Sequence, residues 1–184
     1  IFMGGAHLDP FYIDKFAEYG IDIYEGYGMS ECSPVISSNL PGCHKTGSIG
    51  RPLSNAEISF DNGEILVRGT SVMKGYYNMP KETAETLRDG WLHTGDKGYI
   101  DEDGFLFING RVKNLIILSN GENISPEEIE NKLALDELVG EVIVTGEKNG
   151  LTARIYPEQE LVIAANMTED EVRKNLQAFI DQYN

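Results

Sequence analysis

The segment IFMGGAHLDPFYIDKFAEYGIDIYEGYGMSE, residues 1–31, decides how the chain is read. Ile1–Met3 is a short apolar run ended by Gly4-Gly5. Asp9-Pro10 is a helix start, with Asp as N-cap and Pro in the first turn. The helix runs over Pro10–Tyr19, with Phe11, Phe16 and Tyr19 loosely on one face, and Gly20 stops it. Ile21–Tyr24 alternates and predicts a second strand. Strand, helix and strand in this order imply a parallel α/β unit, placed at residues 1–45.

Beyond it the texture changes twice. From Thr46 to Asn109, glycines punctuate short strands such as Glu64–Arg68 and Phe105–Ile108. Asp103-Gly104 predicts a hairpin turn after Tyr99-Ile100. A helix is expected from Pro80 through Ala84 and Leu87, ending at Asp89-Gly90. This region, residues 46–110, reads as a small antiparallel sheet or barrel. From Gly110 onward, Leu115–Leu118 predicts a buried strand, Asn120-Gly121 a turn, and Ser125-Pro126-Glu127-Glu128 a capping box. Glu141–Thr145 and Leu151–Tyr156 predict a hairpin around Lys148-Asn149-Gly150. Thr168 with Glu171 is a second capping box, and Val172, Leu176, Phe179 and Ile180 share one stripe of the last helix. The fold class expected is therefore α/β plus α+β. Residues 1–110 form the first part and 111–184 a small lobe, with the boundary near 111–113.

The 184 residues carry 30 Asp and Glu against 15 Lys and Arg, a formal net charge of -15. The acidity is even, with 16 acidic against 8 basic residues in 1–110 and 14 against 7 in 111–184. Neither part offers the basic face that a nucleic-acid backbone needs. A polyanion such as ATP would have to be met by local N–H groups, single basic residues or a metal ion. No apolar run reaches the 18 or so residues of a membrane span. With only 2 cysteines, a reducing compartment is the default, and the cytoplasm is the expected location.

Several short motifs carry chemistry. Gly4-Gly5-Ala6 ends a strand, so the backbone can approach a flat ligand, although an ordinary tight turn is the plainer reading. Tyr27 lies between Gly26 and Gly28, where open α/β sheets bind ligands. Its ring could stack on a nucleobase, Ser30 could donate to a phosphate, and Glu31 could hold Mg²⁺. In Trp91-Leu92-His93-Thr94-Gly95-Asp96, Asp96 could accept from a ribose diol, or simply close an Asx turn. His93 lacks a metal-ligand partner at the usual spacing and reads as structural. Asp101–Gly104 lacks the Glu that a calcium loop requires. Cys32 and Cys43-His44 do not match zinc spacing. The helix with Glu127, Glu128 and Glu130 reads as a solvated face.

Seven segments occur in a fixed order: Gly4-Gly5-Ala6, Tyr27–Glu31, Gly47–Pro52, Gly75-Tyr76-Tyr77-Asn78, Trp91–Asp96, Gly110-Arg111-Val112-Lys113 and Gly121–Glu130. In this order the chain resembles the adenylate-forming (AMP-binding) superfamily over nearly its whole length. The wording of Trp91–Asp96 and Gly121–Glu130 is most like fatty-acyl-CoA synthetases. The resemblance implies activation of a carboxylate with ATP and Mg²⁺ to an acyl-adenylate, then transfer to coenzyme A. It implies that Gly4, Gly5 and Ala6 line adenine and that Tyr27 and Gly28 face it. Ser30 would lie near the α-phosphate, with Glu31 at Mg²⁺. Asp96 and Arg111 would hold the ribose, Lys113 would be the hinge of a mobile C-terminal lobe, and Gly121 would face the pantetheine channel.

Ser30 stands where Thr is commoner, His7 where Pro is common, and Asn114 where an acidic residue often follows the hinge. The family's phosphate loop and its C-terminal Gly-Lys segment are not among these residues. The expectation is therefore a C-terminal fragment of a ligase, inactive alone. Enzymes that load carrier proteins or amino acids, and a non-catalytic homologue, are the alternatives. A fatty substrate leaves peripheral membrane contact open, and the sequence does not address oligomeric state.

Overall fold

A computed structural model describes residues 1–6, 8–118, 121–147 and 150–180. His7, Asn120 of the Asn120-Gly121 turn, and Lys148-Asn149 of the last hairpin turn lie outside the described residues. The chain divides into two units, Ile1–Lys113 and Asn114–Asn184. Its class is α/β with an added α+β unit.

In the first unit, strand β1 (Phe2–Met3) leads to helix α1 (Pro10–Glu18) and strand β2 (Tyr24–Gly28). The two strands are parallel, with Phe2 opposite Tyr24 and Met3 opposite Glu25. The Asp9 carboxylate caps α1 by accepting from the Phe11 N–H at 2.8 Å. The second strand begins at Tyr24 instead of Ile21 and contains the glycines expected to lie beyond it. Those glycines are needed for packing. A Cβ on Gly28 would lie 2.1 Å from the Pro34 carbonyl oxygen, which accepts from the Met29 N–H at 2.8 Å. A 3-10 turn, Ser30–Cys32, then turns the chain into β3 (Val35–Ser38) and β4 (Arg51–Pro52), giving the sheet order β1-β2-β3-β4.

The second sheet holds β5 (Ala56–Asp61), β6 (Glu64–Gly69), β7 (Leu87–Arg88), β8 (Trp91–Ile100) and β9 (Leu106–Arg111). It is antiparallel throughout, in the order β5-β6-β8-β7, with β9 also on β8. Helix α2 (Pro80–Thr86) precedes β7. Leu87 thus belongs to a strand, and Asp89-Gly90 closes a hairpin instead of stopping the helix. Both residues have positive φ, 52° and 81°, the backbone sign of the primed hairpin turns. In the Asp103-Gly104 turn, Asp101 Oδ1 accepts from the N–H groups of Asp103 and Phe105, at 3.1 and 2.9 Å. The strand after it starts at Leu106 and runs to Arg111, further than the apolar run alone indicated.

Cys32, Ile36, Ile65, Val67, Leu92 and Leu106 form the core of this unit. They come from the 3-10 turn, β3 and the second sheet, so one apolar cluster holds both sheets. Each large apolar side chain buried there contributes about 1.5–3 kcal/mol.

The second unit holds β10 (Ile116–Ile117), β11 (Asn123–Ile124), α3 (Pro126–Leu133), β12 (Val139–Glu147), β13 (Gly150–Pro157), α4 (Gln159–Ala164) and α5 (Glu169–Ile180). The strand expected over Leu115–Leu118 pairs at only two residues, and Ile117 is 73% exposed, so it is a surface ribbon. The Ser125 capping box does not form; the Ser125 hydroxyl donates instead to Glu127 Oε2 at 2.8 Å. The Thr168 box does form, with Glu171 Oε2 accepting from the Thr168 N–H and hydroxyl, both at 2.8 Å. Val172 and Leu176 are the buried residues of α5. Glu130 is not on a solvated face: its Oε1 accepts from the Val144 N–H at 2.7 Å and ties α3 to β12.

Candidate functional site

Because β1 and β2 are parallel, Gly4-Gly5-Ala6 and the residues after Gly28 leave the first sheet at one edge, beyond the carboxyl ends of the strands. Open α/β sheets bind ligands at that edge. A Cβ on Gly4 would meet the Gly26 carbonyl oxygen at 2.9 Å, so the two chains run close there. Gly5 has φ +91° and open space around it, and Gly4, Gly5 and Ala6 are all exposed.

Tyr27 points from this edge to the second sheet. Its ring packs against the core cluster, and its hydroxyl donates to Asp96 Oδ2 at 2.5 Å. Burial pushes the phenol well above its ordinary value, helped by the negative charge of Asp96 and the hydrogen bond to it. Asp96 is 7% exposed. It sits opposite Arg111 in the β8–β9 ladder, and Arg111 Nε lies 3.1 Å from Asp96 Oδ1. The Arg111 side chain is otherwise 69% exposed. Each Asp96 oxygen thus holds one partner and retains a lone pair.

Two neighbours fix the backbone at Asp96. The Asp96 N–H donates to Thr94 Oγ1 at 3.1 Å, and that hydroxyl donates to the Ile65 carbonyl at 2.8 Å. Gly95, with φ +75°, donates its N–H to Glu64 Oε1 at 2.9 Å. Glu64 Oε2 lies 2.9 Å from His93 Nδ1, so His93 belongs to this support. Asp96 lies in the middle of β8, not in an Asx turn.

Ser30 and Glu31 open the 3-10 turn after β2. Ser30 is exposed. Glu31 is held twice: its carbonyl accepts from the Met73 N–H at 2.7 Å, and its Oε1 accepts from the Tyr76 hydroxyl at 2.7 Å. The bond to Glu31 is the first cause of a raised Tyr76 phenol pKa, with burial second. Burial, with the Glu31 charge, also pushes the neighbouring Cys32 thiol up to about 11, which leaves it a poor nucleophile.

Among the described residues no group of three or more His, Cys, Asp or Glu could hold a metal by itself. The donor set at Glu31 is a single carboxylate, which fits Mg²⁺, a cation commonly held by one or two carboxylates together with substrate phosphates and water. Lys113, exposed, ends the first unit; the Val112 N–H before it donates to the Gly95 carbonyl at 2.8 Å. Gly121, with φ +85°, is exposed in the second unit and donates its N–H to the Leu118 carbonyl at 2.9 Å.

The structure therefore brings Tyr27, Asp96 and Arg111 into one bonded group and places Gly4, Gly5, Ala6, Gly28, Ser30 and Glu31 along one sheet edge. Sequence reasoning assigned no role to Glu64, Thr94 or Tyr76. Glu64 gave no signal, whereas Thr94 lay inside the Trp91–Asp96 wording. Tyr76 likewise lay in the Gly75-Tyr76-Tyr77-Asn78 wording.

The family model described as "AMP-binding enzyme" matches residues 1–77, and that described as "AMP-binding enzyme C-terminal domain" matches residues 113–184. A long-chain-fatty-acid–CoA ligase of Bacillus subtilis (strain 168) is 46% identical over 157 residues, taking in 78% of this chain and 28% of that protein. A 2-succinylbenzoate–CoA ligase of Bacillus cereus (strain Q1) is 37% identical over 182 residues, 92% of this chain and 37% of that protein. Among solved structures, the O-succinylbenzoate coenzyme A synthetase of Bacillus subtilis in complex with AMP superposes with a TM-score of 0.80 at 32% identity, covering 94% of this chain and 37% of that one. The same synthetase in complex with ATP and a magnesium ion gives a TM-score of 0.74. The chain thus spans well under half the length of the relatives it matches. With both halves of the sequence matched and the fold shared with solved synthetases, the chain belongs to the AMP-binding enzyme family.

Proposed function

We propose that these residues form the carboxyl-terminal part of an ATP-dependent acid–thiol ligase, which activates a carboxylate as acyl-adenylate and passes it to coenzyme A. The observation that carries this reading is the bonded group Tyr27–Asp96–Arg111 beside the edge that bears Glu31. A buried carboxylate with acceptor capacity left, next to an exposed guanidinium, suits a ribose diol. Gly4, Gly5 and Ala6 leave room for a purine plane close to the backbone, and the Tyr27 ring borders it. The exposed Ser30 hydroxyl is available to a phosphate oxygen. Glu31 is the residue that would hold Mg²⁺. When bound, the ion would neutralise charge developing on the phosphate oxygens during attack by the carboxylate. The segment at Arg111–Lys113 is the proposed hinge, since the chain divides at Lys113 and short linking segments absorb φ/ψ change.

The substrate we favour is a fatty acid, because the 46% identity to a long-chain-fatty-acid ligase exceeds the 37% to a 2-succinylbenzoate ligase. The proposed compartment is the cytoplasm, in keeping with two free cysteines. No helix among the described residues is long and apolar enough to cross a membrane.

ATP–pyrophosphate exchange by the full-length enzyme, screened over carboxylates of different chain length, tests the proposal. Exchange that depends on a long-chain fatty acid is expected. Exchange with none of the carboxylates would sink the ligase reading, and a preference for an aromatic diacid would sink the fatty-acid assignment alone. The 184 residues assayed by themselves are expected to give no acyl-adenylate.

A further inference from the structure

The stretch Met73–Tyr76 grips the residue proposed to hold the metal. Glu31 is bound to it at two points, by backbone through Met73 and by side chain through Tyr76, each at 2.7 Å. Tyr76 is itself anchored. Its N–H donates to Thr83 Oγ1 at 2.9 Å, and that hydroxyl donates to the Met79 carbonyl at 2.7 Å, at the start of α2. Gly75 makes this approach feasible. It has φ +148°, and a Cβ there would lie 2.7 Å from Thr83 Cγ2. A chain of contacts thus runs from α2 through Thr83 and Tyr76 to one oxygen of Glu31.

The chemistry of the contact matters. A phenol is a neutral donor, so it orients the carboxylate without cancelling its charge. It occupies Oε1 and leaves Oε2 to a cation, which favours one-oxygen coordination over a bidentate grip. Partners of this kind orient a ligand and tune its affinity for the metal. We propose that Tyr76 is a positioning residue for Glu31, selecting the carboxylate oxygen offered to a divalent cation. The inference rests on the reading of Glu31 as metal ligand given above.

The test needs no turnover. In the full-length enzyme labelled with ¹³C at glutamate carboxyl carbons, the Glu31 resonance is assigned by its loss in Glu31→Gln. Mn²⁺ is then titrated in with ATP present, and broadening of that resonance is followed in wild type, Tyr76→Phe, Thr83→Ala and Tyr77→Phe. Tyr77 is 90% exposed and serves as the control. We expect Tyr76→Phe to raise the Mn²⁺ concentration for half-broadening about tenfold, within the range found for outer partners of metal ligands. Thr83→Ala should raise it less, and Tyr77→Phe not at all. Coincident curves for wild type and Tyr76→Phe would overturn the role of Tyr76 while leaving Glu31 as ligand. No selective broadening of Glu31 in wild type would overturn the ligand reading and this inference with it. If Tyr76→Phe loses its fold, Thr83→Ala decides: an unchanged midpoint there overturns the proposal.

Discussion

Tyr27 and Asp96, 69 positions apart in the chain, meet in a 2.5 Å hydrogen bond between the two sheets of the first unit. Asp96 is nearly fully buried, so removing the donor leaves a charged acceptor with one partner fewer. Tyr27→Phe should therefore destabilise the first unit by about 2 kcal/mol. Urea denaturation followed by near-UV circular dichroism would show it, and an unchanged midpoint would contradict the assignment. The same bond predicts an alkaline limit. The Tyr27 phenol is raised above its ordinary value of 10.0 when folded. Its contribution is therefore complete below about pH 10 and lost as pH rises further, because only the unfolded state ionises it readily. Tyr27→Phe should lack that part of the alkaline loss.

At the acid end the pair Lys45–Asp101 sets the behaviour. Lys45 Nζ lies 2.5 Å from Asp101 Oδ2, and this bond holds the Asp101 carboxyl below its ordinary 3.8. A depressed carboxyl contributes stability above its unfolded pKa, and the contribution fades as pH falls through the folded one. The melting temperature of wild type should exceed that of Asp101→Asn at pH 7, and the two should converge below about pH 3.8. A difference that persists undiminished in acid would contradict the charge-dependent role of Asp101.

The two thiols should separate in labelling experiments. Cys32 is fully buried with its pKa pushed up to about 11, whereas Cys43 is only partly buried. A neutral-pH reagent should take one thiol quickly and the second only in denaturant. Two fast thiols would contradict the core described for the first unit.

Gly50 has φ +83°, and a Cβ on it would fall 1.8 Å from the Ser38 carbonyl carbon. That carbon cannot give way, because it belongs to the backbone. Gly50→Ala should cost about 3 kcal/mol or more and open the β3–β4 pairing. Hydrogen exchange at Leu53, whose N–H donates to the Ile36 carbonyl beside that pairing, would report it; wild-type protection there would refute it.

Brief trypsin digestion should cut first after Arg111 or Lys113, both exposed at the division between the units. Mass spectrometry of the first two products would settle the point. First cleavage inside either unit would speak against a hinge at this position.

Local signals in the sequence were the legible ones. The Asp9-Pro10 start, the Asp103-Gly104 turn and the Thr168–Glu171 box each depend on residues within a few positions of each other, and each formed. The Ser125 box did not, because Glu127, one residue nearer than Glu128, took the hydroxyl. Strand β2 was misplaced because its glycines read as a loop, whereas the close backbone of Pro34 and β3 requires them. Helix α4 has no Ser, Thr, Asp or Asn cap to announce it; Glu158 caps it instead. In the candidate site, the residue types were legible from motif wording. Their partners were not. The bonds Tyr27–Asp96, Tyr76–Glu31 and Gly95–Glu64 span 69, 45 and 31 positions, and no periodicity encodes such separations.

The rung Asp96–Arg111 is the last pair of the β8–β9 ladder, followed only by the Val112–Gly95 bond before the chain leaves the first unit. Tension on the chain from the carboxyl-terminal side would reach this rung before any other in the sheet. Because β8 and β9 are antiparallel, such a load would peel the ladder one bond at a time instead of shearing many together. In an optical trap, the first rupture should therefore come at low force, at the pair proposed to hold the ribose.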